Sequence, residues 1–203
     1  MKRLILFFAL PCLLYSCRTH QEVNPEDFNE VSGTGLVIGT VTFDSDKPVN
    51  DIYRFFFEPT TGDKRFIRQN KGRIFIKARD RQGKAFNGDF NNKQTYLFAF
   101  ELKPGKYAFN QYNYLDNIGY TGLVSSSEKF EIPFVIESGT IAYIGELIYY
   151  DKPEDDMPKI IVNDNYERDL DEFEKKFPDA EWGRAENMSV KKGDTGNGII
   201  SFM

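Results

Sequence analysis

Histidine and cysteine are nearly missing from this chain: 203 residues hold one histidine, His20, and two cysteines, Cys12 and Cys17. All three stand at the amino-terminal end, so the rest of the chain has no thiol for a disulfide, no cysteine nucleophile and no imidazole base. That excludes a histidine-based catalytic triad and a zinc site of the usual His or Cys type. Neither G-x-S-x-G nor G-x-x-x-x-G-K-[ST] occurs, and Gly193, Gly196 and Gly198 lack the strand-then-helix setting of a nucleotide loop. Basic residues are outnumbered, 26 against 31 acidic, for a net charge of −5. Nucleic-acid binding calls for the opposite balance. Long apolar runs are absent as well: residues 4–14 (LILFFALPCLL) fall well short of the roughly 20 that a membrane-crossing helix needs. Carboxylates remain, but no spacing marks a catalytic pair. Asp151, Glu154, Asp155 and Asp156 lack the EF-hand order and have prolines close by, so they read as a solvated loop rather than a calcium site. No catalytic residue, metal ligand or cofactor is assigned, and a hydrolase built on carboxylates alone is the weakest reading.

What is present begins with the address. Lys2 and Arg3 precede the short apolar run, and Leu14-Tyr15-Ser16-Cys17 follows it. This tetrapeptide resembles the lipobox of bacterial lipoproteins. The resemblance implies cleavage between Ser16 and Cys17, a diacylglycerol thioether on the Cys17 sulfur and acylation of the freed amine. Residues 1–16 are then a signal peptide, and residues 17–33, polar and carrying Pro25, a lipidated cysteine and flexible tether. Each buried methylene contributes about 0.8 kcal/mol, so two or three acyl chains hold a protein firmly without help from charge. Loss of Lys2 and Arg3 makes the mature chain still more acidic, and the anchor is expected to act without a basic patch. Arg18, where an aspartate would retain some lipoproteins in the inner membrane, favours the outer membrane, with either face open.

The body of the chain reads as mainly β. Period-2 alternation and turn residues dominate residues 34–162, where most of the aromatic residues stand. Expected strands are residues 36–43, with Gly39 a bulge or close backbone approach, and 52–57. Residues 65–68 and 73–77 read as a short pair turning at Asn70-Lys71-Gly72, and 79–93 as a long surface loop. Residues 96–102 lead through Lys103-Pro104-Gly105-Lys106, read as a type II turn with positive φ at Gly105, into a strand from Tyr107. A loop over 117–122, a strand over 130–136 with Pro133 at an edge, and a central strand over 140–150 complete the set. Residues 163–203 hold one helix, about 164–177, and a tail that is either flexible or a final edge strand. Asp164 is its expected N-cap with Glu167 three residues on, and Tyr166, Leu170, Phe173 and Phe177 form a stripe that should dock on the sandwich.

The segments GLVIGTVTF, ELKPGKY, FEIPFVIESGTIAYIGEL and the helix ending FEKKFP resemble bacterial envelope lipoproteins of unknown function. Their domains are similar to the carboxypeptidase-regulatory or transthyretin-like β-sandwich. The resemblance spans about residues 34–180, implies an antiparallel β-sandwich (Ig/transthyretin-like) with one short C-terminal α-helix, and carries no catalytic residue across. One cluster suggests contact with a ligand or partner: Tyr112, Tyr114, Asp116, Asn117 and Tyr120, rings interleaved with amides and carboxylates. Tyr107 and Phe109 continue a core face, and Tyr112 and Tyr114 fall on the opposite parity unless a bulge intervenes. The expected role is a non-catalytic binding or assembly module, attached to the membrane by its lipid and working beside other envelope proteins. A glycan-binding module using exposed aromatics is the alternative. Nucleic acid is not an expected partner.

Overall fold

The computed structural model describes residues 22–45, 48–79, 84, 87–92, 94–118 and 121–203, with the backbone alone at 117, 118 and 121. Residues 1–21, with the expected signal segment, Ser16 and Cys17, and Tyr120 lie outside the described residues. In chain order the elements are β1 (Gly35–Phe43), β2 (Ile52–Pro59), α1 (Lys64–Asn70), β3 (Gly72–Lys77), β4 (Thr95–Leu102), β5 (Gly105–Ile118) and β6 (Thr121–Ser126). They continue with β7 (Ile132–Ile136), β8 (Ile141–Tyr149), β9 (Ile160–Asn163), α2 (Tyr166–Lys176), β10 (Ala185–Asn187) and β11 (Ile200–Phe202).

Two sheets face each other over an aromatic core. The first runs β11-β9-β8-β1-β4, with β10 also on β8; the second runs β3-β2-β5-β6, with β7 also on β5. Inward-facing Val37, Val41, Phe43, Tyr53, Phe55, Phe57, Phe100, Phe109 and Tyr149 are all essentially inaccessible. Rings from opposite sheets meet edge to face, as in Phe57 with Phe100 at 4.9 Å and Tyr53 with Tyr149 at 5.3 Å, the arrangement their quadrupoles favour.

A wholly antiparallel sandwich with one helix was the expectation, and the structure corrects both parts. β1 runs parallel to β8, β10 parallel to β8 and β11 parallel to β9. Alternation reveals which face a residue takes, not the direction of the neighbouring strand. β1 and β8 are central and buried along both faces, as strands in parallel pairs usually are. The second helix is α1, where a strand was expected over 65–68. Asp63 caps it by accepting from the Phe66 N–H at 2.7 Å, and Asn70 closes it by donating to the Phe66 carbonyl at 2.8 Å. A local cap outweighed weak strand propensity there. Residues 117, 118, 121 and 122, expected in a loop, are instead paired strand residues of β5 and β6. Residues 96–111, expected as a hairpin about Pro104-Gly105, instead cross from β4 in the first sheet to β5 in the second, and Gly105 lacks the positive φ expected of it and opens β5.

α2 docks by the anticipated stripe, but on the outside of the first sheet. Phe173 is fully buried against Leu36, Ile38, Leu97, Ala99, Ile141 and Tyr143, and Trp182 seals its far side at 5.3 Å. The cap differs from expectation by one residue. Asn165 is the N-cap position, and Asp164 instead holds Lys191 at 2.8 Å and Asn187 at 3.1 Å. Partial burial pushes the Asp164 carboxyl up, but these hydrogen bonds, with those of Tyr166 and Ser189, outweigh it and bring the carboxyl to about 2. Lys175 pairs with Glu172 at 2.7 Å and Asp171 at 3.5 Å, and Lys176 pairs with Asp89 at 2.6 Å. The tail ends as an edge strand, β11. The flexible tether expected over 17–33 is corrected at its far end: the Val23 N–H donates to the Ala99 carbonyl at 3.0 Å, Pro25 is buried, and Val23 and Phe28 pack beside α2.

Gly39 is a close approach. A Cβ there would stand 2.6 Å from the Phe98 ring and 2.7 Å from the Gly145 carbonyl, across from the bulge where β8 takes two residues to one of β1. Gly39→Ala is therefore expected to destabilise the fold by about 1–3 kcal/mol through overpacking. A urea midpoint unchanged from the parent would contradict this packing.

Candidate functional site

β5 carries the cluster singled out in the sequence, and its register decides where the side chains go. Phe57 pairs with Phe109 but Phe56 pairs with Gln111, so Asn110 is an extra residue bulged out of β5. Its amide donates to Glu58 at 2.6 Å and its carbonyl accepts from the Phe130 N–H at 3.3 Å. The bulge reverses parity. Tyr107 and Phe109 point inward before it, and Tyr112 and Tyr114 point inward after it. Tyr112 is 7% exposed, with its ring 5.3 Å from that of Tyr149, and burial pushes its hydroxyl up to about 12. Tyr114 is half-buried and packs on Tyr53 at 6.5 Å. Asp116 lies 3.6 Å from Arg79, which also pairs with Asp51 at 3.2 Å. Asn117 stands opposite Gly122 in the hairpin, its side chain outside the described residues, and Tyr120 lies there too. Tyr112 thus serves the core, and a surface of exposed aromatics loses its first ring.

The exposed apolar residues of this region are its neighbours in β6. Leu123 is 59% and Val124 54% exposed, on opposite faces of a hairpin whose end therefore has solvent on both sides. Val124 faces Leu115 on the outer side of the second sheet. Phe56 and Phe75 share that side, Phe75 at 44% exposure with Arg54 and Arg73 over its ring at 5.7 and 5.9 Å. The two sheets differ in kind on their outer faces. The first is covered by α2, Trp182 and residues 23–28; the described residues place no such layer on the second.

Beneath α2 lies a buried charged cluster that sequence reasoning missed. Asp169 is fully buried and accepts from Thr40 at 2.7 Å and Tyr143 at 2.6 Å. Arg168 donates to Asp169 at 2.6 and 2.8 Å and to Glu146 at 2.8 Å, so one guanidinium joins both carboxylates. Glu146, 2% exposed, also accepts from Thr42 and Asn165. Burial pushes the Asp169 carboxyl above its ordinary range even against the hydrogen bonds of Tyr143, Thr40 and Arg168. Phe90 covers the guanidinium at 5.4 Å. Two buried carboxylates could suggest acid/base chemistry, but both are occupied by side chains of the fold. The signal was present in the sequence, in the single charge of TIAYIGELIYY and in the threonines alternating along β1.

A second missed feature is charge segregation. Residues 64–79 carry Lys64, Arg65, Arg68, Lys71, Arg73, Lys77 and Arg79 without one acidic residue, in a chain of net charge −5. The shallow depression lined by Glu30, Ser138, Thr140, Arg184 and Glu186 has its one cation engaged, since Arg184 pairs with Glu30 and Glu181. Among the described residues, no three His, Cys, Asp or Glu side chains gather in a way that could hold a metal ion, and no helix is long and apolar enough to cross a membrane.

No family model and no curated protein matches the chain. Among solved structures, a leucine-rich repeat protein from Bacteroides thetaiotaomicron VPI-5482 is similar at a TM-score of 0.35 and 9% identity, over 61% of this chain and 15% of that one. A likeness this distant carries no argument about fold or function.

Arg168→Met is expected to leave two buried carboxylates without their shared cation. Loss of one partner of a buried pair costs about 3–5 kcal/mol. With 39% of the Arg168 side chain exposed, water screens part of the loss, and about 2 kcal/mol is expected. Denaturant unfolding measures it, and Glu146→Gln in the same background should recover part of the loss. A neutral Arg168→Met would show that the ion cluster contributes nothing to holding α2.

Proposed function

We propose that this chain is a lipid-anchored, non-catalytic binding or assembly module of the bacterial cell envelope, in the outer membrane, with the β5–β6 hairpin as its contact with another envelope protein. The observation that carries the contact is the pairing of Leu123 and Val124, both more than half exposed, at the end of a hairpin that continues into an uncovered sheet face. Exposed apolar pairs with polar neighbours mark interaction sites on otherwise well-buried domains. Asp116, opposite Leu123 across the hairpin, supplies a polar neighbour. The anchor rests on Lys2 and Arg3, the short apolar run and Leu14-Tyr15-Ser16-Cys17. The Ig/transthyretin-like kind of sandwich is part of the same reading. Two sheets packed face to face support it, while the parallel pairing of β1 with β8 departs from it.

Two measurements test this reading. Cys17→Ser is expected to abolish radiolabelled palmitate incorporation and processing before residue 17; continued labelling would refute the anchor. A photo-crosslinking amino acid at Leu123 is expected to capture a discrete envelope protein in intact cells, while the same group at exposed Asp155 captures none. Equal capture at both positions would remove the hairpin from the account.

A further inference from the structure

We propose that the basic edge formed by α1 and β3 rests on the anionic headgroups of the membrane that holds the lipid anchor. The inference relies on the anchoring at Cys17 proposed above and adds which side of the domain meets the bilayer.

Three observations converge on this edge. The first is charge. Lys64, Arg65, Arg68, Lys71 and Arg73 are all exposed, and none makes an ion pair with a described residue. The nearby carboxylates are engaged by other groups, Asp63 by the Phe66 N–H, Glu58 by Asn110 and Glu22 by the backbone N–H of Phe75. An acidic protein thus presents five exposed cations with no ion-pair partner among the described residues.

The second observation is the path of the amino-terminal chain. Val23 pairs with Ala99 on β4, the edge strand of the first sheet. That edge overlies the β2–β3 side of the second sheet, since Phe100 of β4 meets Phe57 of β2 edge to face at 4.9 Å. One residue earlier, Glu22 is close enough to feel the backbone N–H of Phe75 in β3 and the charge of Lys176. The described chain therefore begins, at Glu22, beside β3.

The third observation is reach. Only residues 18–21 separate Cys17 from Glu22, and at about 3.5 Å per residue this span extends at most about 18 Å. A lipid on Cys17 holds the β3 edge close to the headgroups. Within about 10 Å at 0.1 M salt, the negative surface potential of an anionic leaflet acts on Lys and Arg side chains. Phe75, exposed between Arg54 and Arg73, supplies an aromatic ring at the depth where such rings favour the interface. In this pose β3 lies nearest the bilayer and the β5–β6 hairpin stands away from it, on the other side of the sheet.

The test uses the full lipidated chain carrying Phe75→Trp, reconstituted into phosphatidylcholine vesicles with or without phosphatidylglycerol and containing a headgroup-labelled nitroxide lipid. The parent chain, whose tryptophan is the buried Trp182, sets the background. Flotation with both vesicles, and fluorescence at position 75 quenched at least twofold more with phosphatidylglycerol, is the expected result. That difference should vanish in high salt and in the triple variant Arg65→Gln, Arg68→Gln, Arg73→Gln. Flotation without headgroup quenching, or with quenching indifferent to lipid charge, overturns this inference, leaves the anchor standing and assigns the strip to a soluble acidic partner. Failure to float overturns the anchor and the inference together.

Discussion

Two central strands lying side by side in parallel, β1 and β8, constrain everything else in this domain. Neither has a face turned to water. A sheet with such strands at its centre needs a layer on each side, because apolar side chains on either face lose about 25 cal/mol for each Å² left in water. The second sheet supplies one layer. The other is assembled from the two ends of the described chain, residues 23–28 and α2 with Trp182. Three layers thus follow from one pairing, and the second sheet, with no comparable demand on its outer side, is left open.

The lid is positioned by polarity as much as by apolar contact. A stripe of Phe173, Leu170 and Tyr166 fits a greasy surface in more than one register. The lower half of that surface is not greasy: Thr40, Thr42, Thr95 and Glu146 interrupt it. Asp169 and Arg168 find partners at only one setting of the helix, where Thr40, Tyr143 and Glu146 all meet them. Buried polar groups left without partners cost free energy, so wrong registers are penalised rather than merely less favoured.

Strand positions, the core alternation, the close approach at Gly39 and the docking stripe of α2 were legible in the sequence because each is a local pattern. What escaped was set by neighbours. A single bulged residue, Asn110, turned Tyr112 from a surface candidate into a core ring, and only the pairing of Phe56 with Gln111 reveals it. α1 was hidden because seven residues between two strands show no helical period, although Asp63 marked its start. The contact candidates shifted by a few positions for the same reason: 117–122 read as a loop, so Leu123 and Val124 were not seen as a protruding pair. Residues 64–79 were legible as a run of one sign, but a whole-chain average conceals a local excess.

One feature of the lid bears on how the molecule can be watched. Its sole tryptophan, Trp182, lies in the covering layer, donating its indole N–H to the Phe177 carbonyl at 2.8 Å, whereas tyrosines 53, 107, 112 and 149 line the interior between the sheets. Nature has thereby placed two optical reporters in separate strata. Emission excited in the indole band follows the seating of the cover, whereas the tyrosine near-ultraviolet dichroism sums these interior rings with Tyr143 and Tyr166 beneath the cover. If the cover lifts while the sheets stay packed, the first signal changes and the second keeps its interior part, so a partial opening can be seen without any label.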